Sequence, residues 1–155
     1  MNESQFRTGS VTDDEPVHAL TADECWERLH SQELGRLVTR VGEAIEVFPV
    51  NYVVDGASLL FRTAEGSKFA ELTVNDHVLF EVDDYTAVDA WSVVLKGRAT
   101  PLVSSDEIMA ADALPLRPWV PTLKRNYVRI VPNELTGRSF ERTPEPDHTD
   151  PSEPA

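Results

Sequence analysis

The residues best placed to do chemistry lie in one run, F-R-T-A-E-G-S-K-F at residues 61–69. The apolar residues before Arg62 predict a strand, Gly66 a turn, and Ser67 and Lys68 the first turn of a helix. A helix N-terminus has N–H groups without helical partners and the positive end of the helix dipole, both of which favour a phosphate. Arg62 can bind such an anion bidentately, and Lys68 adds a compact charge. Thr63 and Ser67 add hydroxyl donors. The competing reading is an exposed turn whose Arg62 and Lys68 pair with Glu65 and Glu71. The run is not a nucleotide-binding G-x-x-x-x-G-K loop, and no G-x-G-x-x-G follows a strand.

A second cue is P-V-N-Y at residues 49–52. Pro49 lacks an N–H, which suits a strand edge or a bulge. Asn51 places a donor-acceptor amide in an otherwise apolar run, and taken alone it fits the solvent face of a strand. The Asp55-Gly56 pair is a hairpin signal. That hairpin sets residues 50–52 roughly across from residues 59–62, so the two cues fall on one patch.

Other candidates support blander roles. His18, His30, His77 and His148 share no metal-ligand spacing, so no metal site is expected. Cys25 sits among Asp23, Glu24 and Glu27, the wrong surroundings for a reactive thiolate, and reads as a small buried hydrophobe. Glu81, Asp83 and Asp84 read as a solvated exit from a strand. Trp26, Trp91 and Trp119 could be core or interface residues, and Trp91 and Trp119 could also stack on a ring. No residue stands out as a general acid or base.

The elements that must hold these residues are mostly strands. Thr21 and Glu24 form a capping box that opens a helix ending near Glu33. Strands are expected over Leu34–Val41, Ala44–Val54, from Leu59 to Phe61, over His77–Val82 and over Trp91–Val103. The last of these breaks at Gly97, a candidate bulge. Residues 67–74 read as a short helix. Ser104 or Ser105 caps another that runs to about Leu114. Tyr127–Val131 closes the set, and Leu135–Phe140 could continue its pairing. Six or seven strands on short turns with three short helices predict a small antiparallel barrel, in a meander or Greek-key order.

The whole chain sets the outer limits. Its 155 residues suggest one domain. Residues 1–18 are polar and aperiodic and are expected to be loose, 19–140 to fold, and 141–155 to form a disordered acidic tail holding four of the eleven prolines. Residues 1–20 carry a net charge of −3 and residues 141–155 one of −4, which leaves −6 of the total −13 on the body between them. A body so mildly acidic argues against nucleic acid as a partner. No apolar run reaches the roughly 18 residues of a membrane span, and the N-terminus lacks the apolar segment of a secretory signal. With one cysteine, the expected setting is a reducing, cytoplasmic one.

Five segments together carry a family resemblance: V-F-P-V-N-Y, D-G, L-L-F-R-T-A-E-G-S-K, H-V-L-F-E-V and W-S-V-V-L-K-G-R-A. In order and spacing they resemble the FMN-binding split-barrel proteins similar to pyridoxamine 5′-phosphate oxidase. The likeness is to the small actinobacterial-type branch with nitroimidazole-resistance-like relatives, and it spans about residues 20–140. It implies a split barrel, a homodimer, and FMN in clefts between the two barrels. By this resemblance Arg62, Thr63, Ser67 and Lys68 hold the FMN phosphate. Val50, Asn51 and Tyr52 run beside the flavin ring, largely through their backbone. Trp91 and Ser92 line the cleft from a later strand, on the same or the partner subunit, and Trp119 covers the ring. The implied activity is a flavin-dependent oxidoreductase moving a hydride or electrons to or from a small organic molecule. One alternative is a deazaflavin-dependent reductase of the same fold, with Arg117, Lys124 and Arg125 meeting the cosubstrate's acidic tail. Another is a non-catalytic flavin-binding or storage module. Arg129 and Arg138 lie near the end, but no Arg-x-His motif aligns there, which argues against oxidation of pyridoxamine phosphate itself. Arg62 stands where the nitroimidazole-resistance branch often has histidine.

Overall fold

A computed structural model of the chain describes residues 17–63, 71–117, 119 and 126–142. The expected acidic tail beyond Arg142, residues 1–16, the start of the helix at Ser67 and Lys68, and Lys124 and Arg125 lie outside the described residues.

Seven antiparallel strands form one sheet. They are β1 (Val17–Ala19), β2 (Leu34–Val41), β3 (Ala44–Asp55), β4 (Ser58–Thr63), β5 (His77–Tyr85), β6 (Asp89–Pro101) and β7 (Asn126–Glu141). Two helices are described from end to end, α1 (Ala22–His30) and α2 (Ser105–Asp112), and residues 71–74 are helical. The sheet runs β1-β7-β4-β3-β2-β5-β6, and a further β6–β7 pairing closes six of its strands into a ring. This is the split barrel that the resemblance implies. β2, β3 and β4 follow one another through hairpins, and β5 returns to pair with β2. That order is a Greek key. Its crossover is the stretch between Thr63 and His77, where the Arg-Thr…Ser-Lys run begins.

Strand alternation fills the ring. Leu37, Val50, Tyr52, Leu59, Phe61, Phe80, Val82, Val93, Leu95, Val128 and Ile130 are buried in one cluster, every second residue of its strand. α1 adds Cys25 and Leu29 to the same cluster. Its capping box is intact: Thr21 Oγ1 accepts from the Glu24 N–H at 3.2 Å, and Glu24 Oε1 accepts from the Thr21 N–H at 3.1 Å. Such a cap contributes about 1 kcal/mol. A second, smaller cluster lies outside the ring, where Ala111 of α2 covers Leu60 of β4 and Tyr127 of β7.

Several boundaries differ from the sequence reading. β5 continues past the expected exit at Asp83 and Asp84, which pair with Ser92 and Trp91, and ends at Tyr85, while β6 spans Asp89–Pro101 instead of Trp91–Val103. β1 begins at Val17 and pairs with Arg138–Phe140 of β7, inside the stretch expected to be loose. Three residues show no periodicity, and only a waiting strand edge makes them a strand. α1 stops at His30, capped by Ser31, whose hydroxyl donates to the Arg28 carbonyl at 2.6 Å. β7 runs unbroken through Pro132, and the register shift opposite it falls between Lys96 and Gly97, at the expected bulge. The hairpin loop is Gly56-Ala57, with Asp55 opposite Ser58. Gly56 takes φ +58° there, a value that costs glycine little.

Candidate functional site

Tyr52 pairs with Phe61 as the last β3–β4 pair at that end, and Asn51 and Arg62 each lie one residue beyond it, on the outer face of the ring. Arg62 in turn lies opposite Tyr127. The two sequence cues therefore meet on one outer row, Asn51–Arg62–Tyr127, across β3, β4 and β7. The Arg62 guanidinium carbon lies 4.8 Å from the centre of the Tyr127 ring, a cation–π stack. Thr63 ends β4 opposite Asn126, and its side chain is buried, 4% exposed. Ser67 and Lys68 follow outside the described residues.

Asn51 has a definite task. Its Oδ1 accepts from the Trp119 N–H at 2.9 Å, and its Nδ2 donates to the Glu33 carbonyl at 3.2 Å. It ties the backbone of residue 119 to β3. The Trp119 side chain remains 62% exposed. Beside it lies a cavity of about 290 Å³ lined by Leu34, Arg36, Pro49, Asp83 and Trp119. Within it Arg36 Nη1 donates to Glu81 at 2.9 Å and to Asp83 at 3.0 Å. Burial, reinforced by the neighbouring Asp83 and opposed by Arg36, pushes the Glu81 carboxyl up to about 7.

Val50 and Tyr52 point the other way, into the ring. The Tyr52 hydroxyl donates to the Leu29 carbonyl at 2.6 Å, and its amide donates to Glu33. Burial raises its phenol above the ordinary range. Val50 and Tyr52 thus present no side chain to the outer face, and the Asn51 amide there is engaged by Trp119 and Glu33.

Trp91 and Ser92 are not brought to this row within one chain. Both lie on β6 at the far end of β7, where Ser92 pairs with Arg138, whereas Arg62 pairs with Tyr127. Trp91 is buried in the main core with the Arg28 guanidinium 5.5 Å from its ring centre. Ser92 lines a separate cavity of about 630 Å³ with Val17, Val94, Thr136 and Arg138.

The sequence reading missed Tyr127 and Asp112. The Tyr127 hydroxyl donates to Asp112 Oδ1 at the end of α2. Tyr127 stood in a predicted strand and Asp112 in a predicted helix, and nothing local marks either as near Arg62. The one usable signal was parity, since Tyr127 and Arg129 share the outer face of β7.

The donor set on the outer row suits a phosphate: a half-buried guanidinium, held by an aromatic face, near the strand end that precedes Ser67 and Lys68 in the sequence. Residues 21–139 match the family model described as pyridoxamine 5′-phosphate oxidase. The chain belongs to this family. Among solved structures it resembles a Corynebacterium glutamicum protein named after pyridoxamine 5′-phosphate oxidase, at 47% identity and a TM-score of 0.76, covering 84% of this chain and 98% of that one. It also resembles the FAD binding protein of Mycobacterium smegmatis, at 39% identity and a TM-score of 0.70, covering 80% and 98%. An uncharacterised Mycobacterium tuberculosis protein is 43% identical over 97 residues, 63% of this chain and 88% of its own length. Among the described residues no helix is long and apolar enough to cross a membrane.

Proposed function

We propose that this chain is a flavin-nucleotide-binding oxidoreductase that grips the phosphate of FMN with Arg62, aided by Thr63, Ser67 and Lys68. The observation that carries this is the Asn51–Arg62–Tyr127 row, where both sequence cues fall on one outer face beside the exposed Trp119. Arg62 binds and orients the phosphate. Asn51 holds residue 119 in place, and Trp119 forms one wall of a cavity able to take part of a planar ring. The ring edge meets the backbone of residues 50–52. When bound, the flavin supplies hydride and electron transfer, and the protein tunes it. The substrate is a small organic molecule. The working form is a cytoplasmic homodimer in which Ser92, at the far end of β7 within one chain, reaches the ring from the partner subunit, while Trp91 stays packed in its own core.

A second reading, FAD in place of FMN, is favoured by the 39% identity to the Mycobacterium smegmatis FAD binding protein. Both carry a phosphate next to the ribityl chain, so the same grip serves either.

The test is titration of the purified protein with FMN, FAD, riboflavin and a deazaflavin coenzyme. FMN or FAD should bind more tightly than riboflavin, which lacks the phosphate. Arg62→Ala should weaken FMN about 30-fold, the scale of lost charge-assisted hydrogen bonds, and leave riboflavin unchanged. Equal affinity for FMN and riboflavin would remove the phosphate grip. Saturable deazaflavin binding without flavin uptake would move the function to the deazaflavin-dependent reductases. Flavin binding without turnover by a reduced nicotinamide would favour a storage module.

A further inference from the structure

We propose that Tyr127 and Asp112 are positioning residues for Arg62, and that through it they set the selectivity of the site for a phosphorylated flavin. The proposal rests on the phosphate-grip reading above and deepens it.

Three observations carry it. The first is the stack itself: the Arg62 guanidinium carbon lies 4.8 Å from the Tyr127 ring centre, with the two residues directly opposite on β4 and β7. Stacking holds a guanidinium by its flat face, and a phosphate binds a guanidinium bidentately through the N–H groups in its plane. The second is that Tyr127 cannot turn away. It is 4% exposed, packed with Leu60 and Ala111, and its carbonyl accepts from the Leu102 N–H at 3.0 Å. The third is the tether, in which the Tyr127 hydroxyl donates to Asp112 Oδ1 at the end of α2. Burial, helped by Asp112 and opposed by Arg62, raises the Tyr127 phenol, so it stays a neutral donor. The line Asp112–Tyr127–Arg62 thus runs from a helix end to the flavin-facing row. A flexible Arg loses rotamer freedom on binding, and one already held on a ring loses less.

Charge makes the idea sharp. Asp112 is an anion near a site meant for an anion. If it acted only by its charge, removing it would strengthen FMN binding. As a tether for Tyr127 it must do the opposite.

The experiment measures FMN and riboflavin affinity side by side on the full chain, for the wild type, Arg62→Ala, Tyr127→Leu, Tyr127→Phe and Asp112→Ala. Tyr127→Leu should cut the preference for FMN over riboflavin about tenfold, with riboflavin affinity unchanged. Tyr127→Phe keeps the ring and should stay within about threefold of wild type. Asp112→Ala should weaken FMN about threefold and spare riboflavin. It decides the matter if Tyr127→Leu does not fold. The positioning role is overturned if Tyr127→Leu weakens both ligands equally or leaves the preference intact. It is equally overturned if Asp112→Ala tightens FMN. If Arg62→Ala itself leaves the preference intact, the phosphate grip is wrong and the positioning role falls with it. If Arg62→Ala abolishes the preference and Tyr127→Leu does not, the positioning role alone fails.

Discussion

Glu81 shows how a single residue can record its surroundings. It stands on the outer face of β5, with its side chain 26% exposed, between Arg36 and Asp83. Burial and the second carboxylate raise it to about 7, against the pull of Arg36. An acid raised in the folded state binds its proton more tightly there than in the unfolded chain. Its contribution to stability is therefore full at pH below about 4.5 and lost as pH rises through about 7. Thermal unfolding of the wild type should lose stability across this window, and Glu81→Gln should lose less. Parallel curves for the two proteins would show that Glu81 does not titrate there. Arg62 and Asn51 were legible in sequence because a polar residue in an apolar strand stands out. Tyr127 and Asp112 were not, since an aromatic in a strand and an acid in a helix need no further explanation.

At the scale of elements, glycine marks where strands come closest. A Cβ on Gly97 would lie 2.2 Å from the Val131 carbonyl oxygen of β7, a backbone atom that cannot swing aside. Gly97→Ala should therefore cost about 2–3 kcal/mol, read as a lower midpoint in denaturant with an unchanged slope. A loss under about 0.5 kcal/mol, the scale of ordinary surface substitutions, would mean that the bulge relaxes freely. The bulge was readable from Gly97 interrupting an apolar strand. So were β2, from Leu34 to Val41, and the Ser104 cap of α2, whose hydroxyl accepts from the Glu107 N–H at 3.1 Å. β1 was not, because a three-residue strand exists only through its partner.

Across the whole molecule, one face of the ring is unusually apolar for a surface. Ile45 and Val47 on β3 are 64% and 58% exposed. Val47 pairs with Val38, and Val38 with Leu79, so they form one continuous outer row. Rows of this kind mark association surfaces, and this is where the proposed homodimer would close. The native chain should run as a dimer in light scattering at micromolar concentration. Val47→Asp should shift it to monomer and weaken flavin binding along with it. A monomeric wild type that still binds flavin fully would remove the partner subunit from the site.

Local chemistry determined much of this protein from sequence alone. Capping, turn glycines and alternating apolar residues set the strands and helices, and the order of several motifs pointed to the family. These signals sit within a few residues of one another, where backbone sterics and side-chain period act directly. Ring closure decided the rest. Only the pairing of β7 with both β4 and β6 sets Tyr127 beneath Arg62, carries Trp91 and Ser92 to the far end, and turns Val17–Ala19 into a strand. Those contacts join residues far apart in the chain, and the chain has no local reason to announce them.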